Sequence, residues 1–284
     1  MRILTIFVRF GTEQYAHAEE EIDEIFRRQM VAITRTQLVV DNALPAAFVE
    51  QRGARTLIGG DNSFREFSAF DRAVQHVGSD LWRYDLVHFA TSAFNTLYVD
   101  FLSRLDVALL ERVVRHPTCL GHLDCYNHPV EVFNFHTQHW IRTGFFFLRP
   151  TEVKILDSFV TVRERGQFFS GDPCAPFSAS APLDSKYRQY LLDWLTGDSI
   201  GQGVRWHSRF TLTPETLPAF EQKAISILNE HLLAVRLRAM GCREVDVTWL
   251  ATVLSRDPSA VVRWDTSWRE QLANRDRDAL MVSS

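Results

Sequence analysis

The sequence predicts an α/β protein whose central sheet is mostly parallel. Residues 3–8 are a continuous apolar run of strand length, and residues 13–28 carry apolar side chains at a helical period. A second apolar run follows at residues 37–42. Strand, helix and strand within about forty residues form a βαβ unit, and its right-handed crossover makes the two strands parallel.

Later segments continue the alternation of strands and helices. The elements predicted next are a short strand at 56–58, a helix at 65–77, a strand at 84–89, a long helix that ends near residue 115, irregular β structure at 119–133 and a strand at 140–148. A surface loop at 165–185, a helix at 186–196, a GQG turn at 201–203, an exposed segment at 204–210 and a helix that carries Glu230 follow. We expect one domain at residues 1–255 and a C-terminal appendage at 256–284.

Composition excludes several classes of protein. The chain has 284 residues, 46% of them hydrophobic and 23% charged, which is typical of a globular protein. A net charge of −4 provides no basic stripe for phosphate backbones, so nucleic acid is not an expected partner. No apolar run reaches the length of a membrane span, and the first apolar run is too short for a signal peptide, which predicts a cytoplasmic location. The four cysteines form no CxxC pair, so we expect reduced thiols.

Polar residues follow the first two predicted strands, at the strand ends where ligands collect in open α/β sheets. Arg9 ends the first strand, and Asp41 and Asn42 end the second. The phrase Val39-Val40-Asp41-Asn42 resembles the VVDN of inverting GT-A glycosyltransferases, a family that includes rhamnosyltransferases of bacterial polysaccharide synthesis. The resemblance implies that Asp41 receives hydrogen bonds from the base or ribose of a nucleotide donor. The alternative is an Asp-Asn turn that caps a strand.

The segment Gly59-Gly60-Asp61-Asn62-Ser63 leads into the predicted helix at 65–77. Asp61 or Ser63 can cap that helix, whose free amides suit an anion. This segment resembles the glycine- and asparagine-bearing segment of the same family, which implies that Asp61, Asn62 and Arg65 contact the donor. Arg65 or Arg72 would bind the diphosphate, because a guanidinium matches phosphate oxygens. The alternative is that the charged residues of this helix form surface ion pairs.

The strand at 84–89 is where metal-dependent members of the family carry a DxD motif that holds a divalent cation. This chain has His88-Phe89-Ala90-Thr91-Ser92-Ala93 instead. A divalent metal is therefore held differently, or cationic side chains and amides replace it, or catalysis has been lost. His88, Thr91 and Ser92 are donor-site candidates by position, and the alternative for His88 is a hydrogen-bonded structural histidine.

Residues 223–241 form the predicted helix that ends at Gly241. They resemble the acidic helix of the family, with Glu230-His231 in place of its Glu-Asp pair and Arg236 or Arg238 as its arginine. The resemblance implies that Glu230 is the general base, with His231 as the second candidate, because an attacking sugar hydroxyl must lose its proton. Ile225, Leu228, Leu232 and Val235 share the opposite helical face. The alternative is a solvated glutamate paired with an arginine.

A zinc site is not predicted, although histidine and cysteine are its usual ligands. His122, Asp124, Cys125, His136 and His139 lie within a short segment. Their spacing matches no pair of zinc ligand motifs, and His136 and His139 would share a face only on a helix. Glycine-rich nucleotide loops and a GxSxG motif are also absent from the sequence.

The resemblance implies a GT-A-like, Rossmann-type sandwich. Its members transfer a sugar, with inversion, from a nucleotide-diphosphate donor to a glycan or lipid-linked acceptor in cell-surface polysaccharide synthesis. It further implies a uridine or thymidine diphosphate sugar and work near the inner leaflet, with peripheral membrane association. Two alternatives remain open. The first is a noncatalytic GT-A-like binding module, which the missing DxD favours. The second is another Rossmann-like transferase such as a methyltransferase, but this chain has no Gly-rich loop after its first strand.

Overall fold

One mixed sheet organises the residues that the computed structural model describes, which are 1–96, 99–197 and 209–275. Its strands are β1 (Arg2–Arg9), β2 (Thr34–Asp41), β3 (Val49–Arg52), β4 (Arg55–Gly59), β5 (Leu86–Thr91), β6 (Thr118–Val132), β7 (Phe135–Leu148) and β8 (Arg243–Asp246). The predicted GQG turn, most of the segment at 204–210 and the last nine residues of the predicted appendage lie outside the described ranges.

The strand order is β3-β4-β2-β1-β5-β7-β6-β8. Strand β1 pairs in parallel with β2 and β5, β2 with β4, and β6 with β8, so within the described chain four of the seven pairings are parallel. The chain first builds outward from β1 to β2 and β4, and then returns to place β5 on the other side of β1. The α/β class is confirmed, and a crevice for ligands is expected beside β1, where the direction of building reverses.

Helices cover both faces of this sheet. They are α1 (Ala18–Gln29), α2 (Glu66–Val77), α3 (Val107–Val113), α4 (Pro150–Leu156), α5 (Ser185–Thr196), α6 (Leu217–Ala239), α7 (Val247–Arg256) and α8 (Trp268–Ala273). Helix α1 forms because Ala18, Ile22 and Phe26 recur every four residues and face the sheet. Acidic residues in its first turn and arginines in its last turn also match the helix dipole.

Alternation along β1 divides the core between the two faces. Ile3 and Phe7 point to the face covered by α1, and Leu4, Ile6 and Val8 point to the face covered by α2. A third cluster joins the far half of the β6–β7 hairpin to α5 and to residues 217–234 of α6. Full burial of one such aliphatic or aromatic side chain stabilises the fold by about 1.5–3 kcal/mol. Helix α6 therefore belongs to two cores, which fixes its position against the sheet.

Several sequence predictions about elements are wrong. The long helix predicted before residue 115 is a turn, a 3-10 helix at Asp100–Arg104 and the short helix α3, because the Asp106 carboxylate accepts from the amide of Leu109 and starts a new helix. Strands β3 and β8 were not predicted, since each has only four residues. The loop at 165–185 is confirmed as largely irregular, but it buries Phe168 in the third cluster.

The segment after residue 255 is attached to the sheet as far as the structure describes it. The Gln271 side chain on α8 accepts from the amide of Asp246 at 2.8 Å and donates to the carbonyl of Glu244 at 3.0 Å. Arg275 pairs with the Asp246 carboxylate at 2.5 Å. No helix in the described ranges is long and apolar enough to cross a membrane.

Candidate functional site

A cavity of about 590 Å³ lies at the carboxyl ends of β1, β2 and β5, where the strand order reverses. This volume is within the range of sites for small molecules. Six of the residues predicted to bind a donor line it, namely Arg9, Asn42, Asn62, Arg65, Thr91 and Ser92. Glu230, the predicted base, lines the opposite wall. The structure does not place Asp41, Asp61, His88 or His231 on its surface.

Asp41 lies directly behind the cavity wall and is only 3% exposed. Its carboxylate accepts from Arg9 Nε at 2.8 Å, from the Gly11 amide at 2.8 Å and from the Ala43 amide at 3.0 Å. A buried carboxylate needs such partners to remain charged. Asp41 therefore fixes Arg9 and the turns that follow β1 and β2. Its carboxylate is already bonded to groups of the protein, where a direct contact with a donor was predicted.

The turn after β4 packs closely against the turn after β2. A Cβ atom at Gly59 would lie 1.8 Å from the Pro45 carbonyl oxygen, so this position requires glycine, and one at Gly60 would lie 1.9 Å from Asn42 Oδ1 and would displace the Asn42 side chain. The Asn42 amide nitrogen donates to Asn62 Oδ1 and to the Arg65 carbonyl, each at 3.2 Å. These contacts hold Asn62 and Arg65 at the cavity.

The backbone around the start of α2 is unusual, and the predicted cap is wrong. Asn62 and Arg65 each have φ of 52°, a conformation that is uncommon for residues other than glycine. Neither Asp61 nor Ser63 caps α2, since Arg65 is the N-cap residue and its side chain makes no capping bond. The Asp61 carboxylate instead accepts from the Ser63 amide and hydroxyl, both at 2.9 Å, in its own turn at the surface.

His88 lies inside the core and does not reach the cavity. It is fully buried, its Nδ1 lies 3.3 Å from the Thr5 hydroxyl, and its ring stacks on Phe147 with centroids 4.6 Å apart. Burial lowers the pKa of His88 well below its ordinary value, so the imidazole is neutral. The structural reading of this residue replaces the donor-site reading, because the side chain of His88 faces the core beneath α1, while Thr91 ends the strand and Ser92 follows it at the cavity.

One face of α6 forms the far wall of the cavity. Lys223, Ser226, Ile227 and Glu230 follow the spacing i, i+3, i+4, i+7 and all line it. Glu230 Oε1 accepts from the Thr143 amide at 2.7 Å and from the Thr143 hydroxyl at 2.9 Å.

The Thr143 amide is available to Glu230 because the β6–β7 pairing shifts register. Gly121 pairs with Phe146 and Leu123 pairs with Ile141, so residues 142–145 have a single residue of β6 opposite them. The ladder between β5 and β7 also stops at Phe145. Irregularities of this kind free a backbone donor and redirect side chains next to functional sites.

The environment of Glu230 favours its protonated form more than water does. Burial raises the pKa of Glu230, and this outweighs the opposing effects of the Thr143 hydrogen bonds and the Arg142 charge. A carboxylate with a raised pKa accepts a proton more readily than an ordinary glutamate does.

His231 points away from the cavity into the third core cluster. It is fully buried, and its Nδ1 lies 2.7 Å from the Tyr126 hydroxyl and also contacts the Tyr187 hydroxyl. Burial lowers the pKa of His231 well below its ordinary value. His231 therefore packs in the core and is not positioned to contact a substrate in the cavity.

Charged groups of both signs face the cavity. Among the described residues its lining contains the cations Arg9, Arg65, Arg142 and Lys223 and the carboxylates Glu66 and Glu230. The guanidinium of Arg142 is held by Asp124 Oδ2, 2.9 Å from Nε and 2.5 Å from Nη2. The helical period counted back from Glu230 would have predicted Lys223 and Ser226, whereas Arg142 and Thr143 depend on a register shift that no local pattern signals.

The residues considered for zinc do not converge. His122 lines the cavity, Asp124 pairs with Arg142, and His139 lies 2.8 Å from the Glu244 carboxylate. Across the described segments no three metal-ligating side chains form a group that could hold a metal ion.

Comparison with protein-family models, with curated proteins and with solved structures found no match for this chain. The fold and the cavity define an α/β protein with a cavity lined by charged and polar residues at the carboxyl edge of its sheet. The chemistry of that site follows from its own residues.

Proposed function

We propose that this protein is a GT-A-like, inverting glycosyltransferase that moves a sugar from a nucleotide-diphosphate donor to a glycan or lipid-linked acceptor. The observation that carries the proposal is that strand-end polar residues and Glu230 on α6 face each other across one cavity. A donor-binding wall and a base are the two parts that sugar transfer needs.

The width of the cavity supports a donor of this size. Asn42, Arg9, Thr91 and Thr143 follow or lie within four strands that are neighbours in the order β2-β1-β5-β7. Neighbouring strands are about 4.8 Å apart, so the site spans roughly 14 Å from the end of β2 to β7. A nucleoside would bind near β1 and β2, where Phe10 lines the cavity and is 65% exposed, and the sugar would lie near Glu230.

Glu230 would act as the general base. Thr143 holds its Oε1, which leaves Oε2 to accept the proton of an acceptor hydroxyl. The hydroxyl oxygen then bonds to the anomeric carbon, the bond from that carbon to the diphosphate oxygen breaks, and its electron pair leaves with the nucleoside diphosphate. A single displacement of this kind inverts the anomeric centre.

A calorimetric screen of uridine, thymidine, guanosine and cytidine diphosphates tests the proposal. We expect one of them to bind clearly more tightly than its nucleoside, and the matching nucleotide sugar to release the diphosphate in the presence of an acceptor. Binding of every diphosphate no better than of its nucleoside would contradict the assignment.

A noncatalytic binding module is the second candidate. Thr91 and Ser92 stand at the end of β5, where metal-dependent members of the family carry paired carboxylates, and this observation favours it. It predicts nucleotide binding with no turnover of any nucleotide sugar, so the same screen followed by a turnover assay separates the two candidates.

A further inference from the structure

We propose that Arg65 and Lys223 together bind the diphosphate of the donor and neutralise its charge as it leaves. This inference rests on the proposed function and adds a group on α6 that no motif indicated. In this proposal the central part of the cavity, between α2 and α6, is the site for the diphosphate.

Arg65 lies in the cavity wall, and one of its side-chain donors lacks an acceptor. Its Nε is buried and has no hydrogen-bond partner among the described residues. Its backbone is fixed by the bond from Asn42, and it stands at the N-terminus of α2, where the helix dipole favours an anion. A buried polar atom without a partner is rare, and an oxyanion in the cavity would supply the partner.

Lys223 faces the same part of the cavity from α6, a helix that contacts α2. Burial lowers the pKa of Lys223, with opposing effects from Glu66 and Glu230 and a further lowering by Arg65. The Arg65 charge is thus close enough to Lys223 to disfavour its ammonium form. Two like charges brought together in a partly buried place cost free energy, which an anion bound between them removes.

Glu66 places a negative charge near Lys223 in the free protein, and that charge opposes the lowering of the Lys223 pKa by burial. Glu66 stands in the first turn of α2, beside Arg65, and its Oε1 accepts from the Ser226 hydroxyl at 2.8 Å. Ser226 lies one turn after Lys223 on the same face of α6. A bound diphosphate would compete with Glu66 for Lys223, so removal of the Glu66 charge should strengthen binding.

The two cations would act on the departing group in the transfer reaction. When the bond between the anomeric carbon and the diphosphate oxygen breaks, the electron pair and the negative charge pass to the diphosphate. An ammonium and a guanidinium in contact with those oxygens stabilise that charge.

The test is calorimetric titration of the full chain with inorganic pyrophosphate, with the best nucleoside diphosphate of the screen and with its nucleoside. Arg65→Gln and Lys223→Gln should each weaken pyrophosphate and nucleoside diphosphate by about ten- to hundredfold and leave the nucleoside unchanged. Lys223→Arg keeps the charge and should retain most of the affinity. Glu66→Gln should tighten pyrophosphate binding by roughly two- to tenfold, a change that a misfolded variant cannot produce.

Lys186→Gln and Arg83→Gln are matched controls, since both residues are exposed and outside the cavity lining, and both should bind within about twofold of the parent chain. Tight nucleoside diphosphate binding that survives Lys223→Gln would overturn this inference and leave the proposed function standing. Pyrophosphate binding that depends on Arg65 and Lys223, with no gain from an attached nucleoside, would support the anion site and contradict the proposed function. Absence of binding by both ligands would overturn both.

Discussion

Polar residues in the cavity wall and polar residues in the core just behind it differ in what their hydrogen bonds leave free. Glu230 and His231 are adjacent on α6, yet Glu230 lines the cavity while His231 is enclosed by Tyr126 and Tyr187. Asn42 lines the cavity and Asp41 does not. The Asp41 carboxylate oxygens instead accept from Arg9, Gly11 and Ala43 behind the cavity wall. Adjacent residues on a helix or strand point in different directions, so a motif of two residues contributes one group to the site and one to its support.

The largest expected effect is on the cavity side of this comparison. Glu230→Gln keeps the shape and removes the basicity, so it should reduce turnover by about 10²–10⁴-fold and leave donor affinity nearly unchanged. The free energy of unfolding near neutral pH should stay the same or rise, because burial raises the pKa of Glu230 and the charged form therefore weakens the fold. Steady-state kinetics and urea unfolding measure the two quantities. Normal turnover in this variant would place the base elsewhere.

The next effect is on the core side. His231→Asn should lower the free energy of unfolding by about 2–4 kcal/mol, because it leaves a void and removes partners from two buried tyrosine hydroxyls. Nucleotide affinity should not change, since His231 does not line the cavity. Tyr187→Phe is the matched control and should cost only about 1 kcal/mol. A large loss of turnover in a stable His231→Asn protein would return this residue to the catalytic set.

The division between wall and core also explains which parts were predictable from sequence. Apolar runs located β1, β2, β5 and the helix with Glu230. Four residues at or just past the strand ends line the cavity as expected, namely Arg9, Asn42, Thr91 and Ser92. His88 was misassigned because it lies inside its strand, three residues before Thr91. Thr143 was missed because its free amide results from the pairing of two strands that are distant in the chain from α6. Local patterns report periodicity, and they do not report pairing irregularities.

A pH dependence of stability should come from the core side. Burial lowers the pKa values of the core histidines His88 and His231 well below that of an unfolded histidine. The unfolded chain therefore binds protons that the folded chain does not as the pH falls below about 6.5, and stability is lost by up to about 1.4 kcal/mol per pH unit for each histidine. Urea unfolding between about pH 7.5 and pH 5.5 measures this slope.

Two variants test whether a buried histidine causes the pH dependence of the unfolding free energy. His231→Gln should reduce the slope of unfolding free energy against pH by the contribution of one histidine. The same substitution at the exposed His128 should leave the slope unaltered. Equal slopes in the parent chain and the His231→Gln variant would show that His231 takes up a proton in the folded state, and that the Tyr126 and Tyr187 hydroxyls accommodate an imidazolium.

The smallest expected effect is on the cavity side and concerns metal. The residues at the end of β5 are Thr91 and Ser92, and the charges that could meet a diphosphate belong to Arg65 and Lys223, so we expect EDTA to leave nucleotide affinity and turnover largely intact. The reason is that two positive side chains already offset the diphosphate charge, the task that a divalent cation performs elsewhere. Calorimetry and turnover with EDTA, and then with added Mn²⁺ or Mg²⁺, measure this. A loss of more than about 90% of turnover that Mn²⁺ restores would show that a cation, and not the Arg65–Lys223 pair, carries the leaving-group charge. Combining EDTA with Lys223→Gln sharpens the comparison, because turnover of that variant should recover with Mn²⁺ only if a cation can take the place of the missing ammonium.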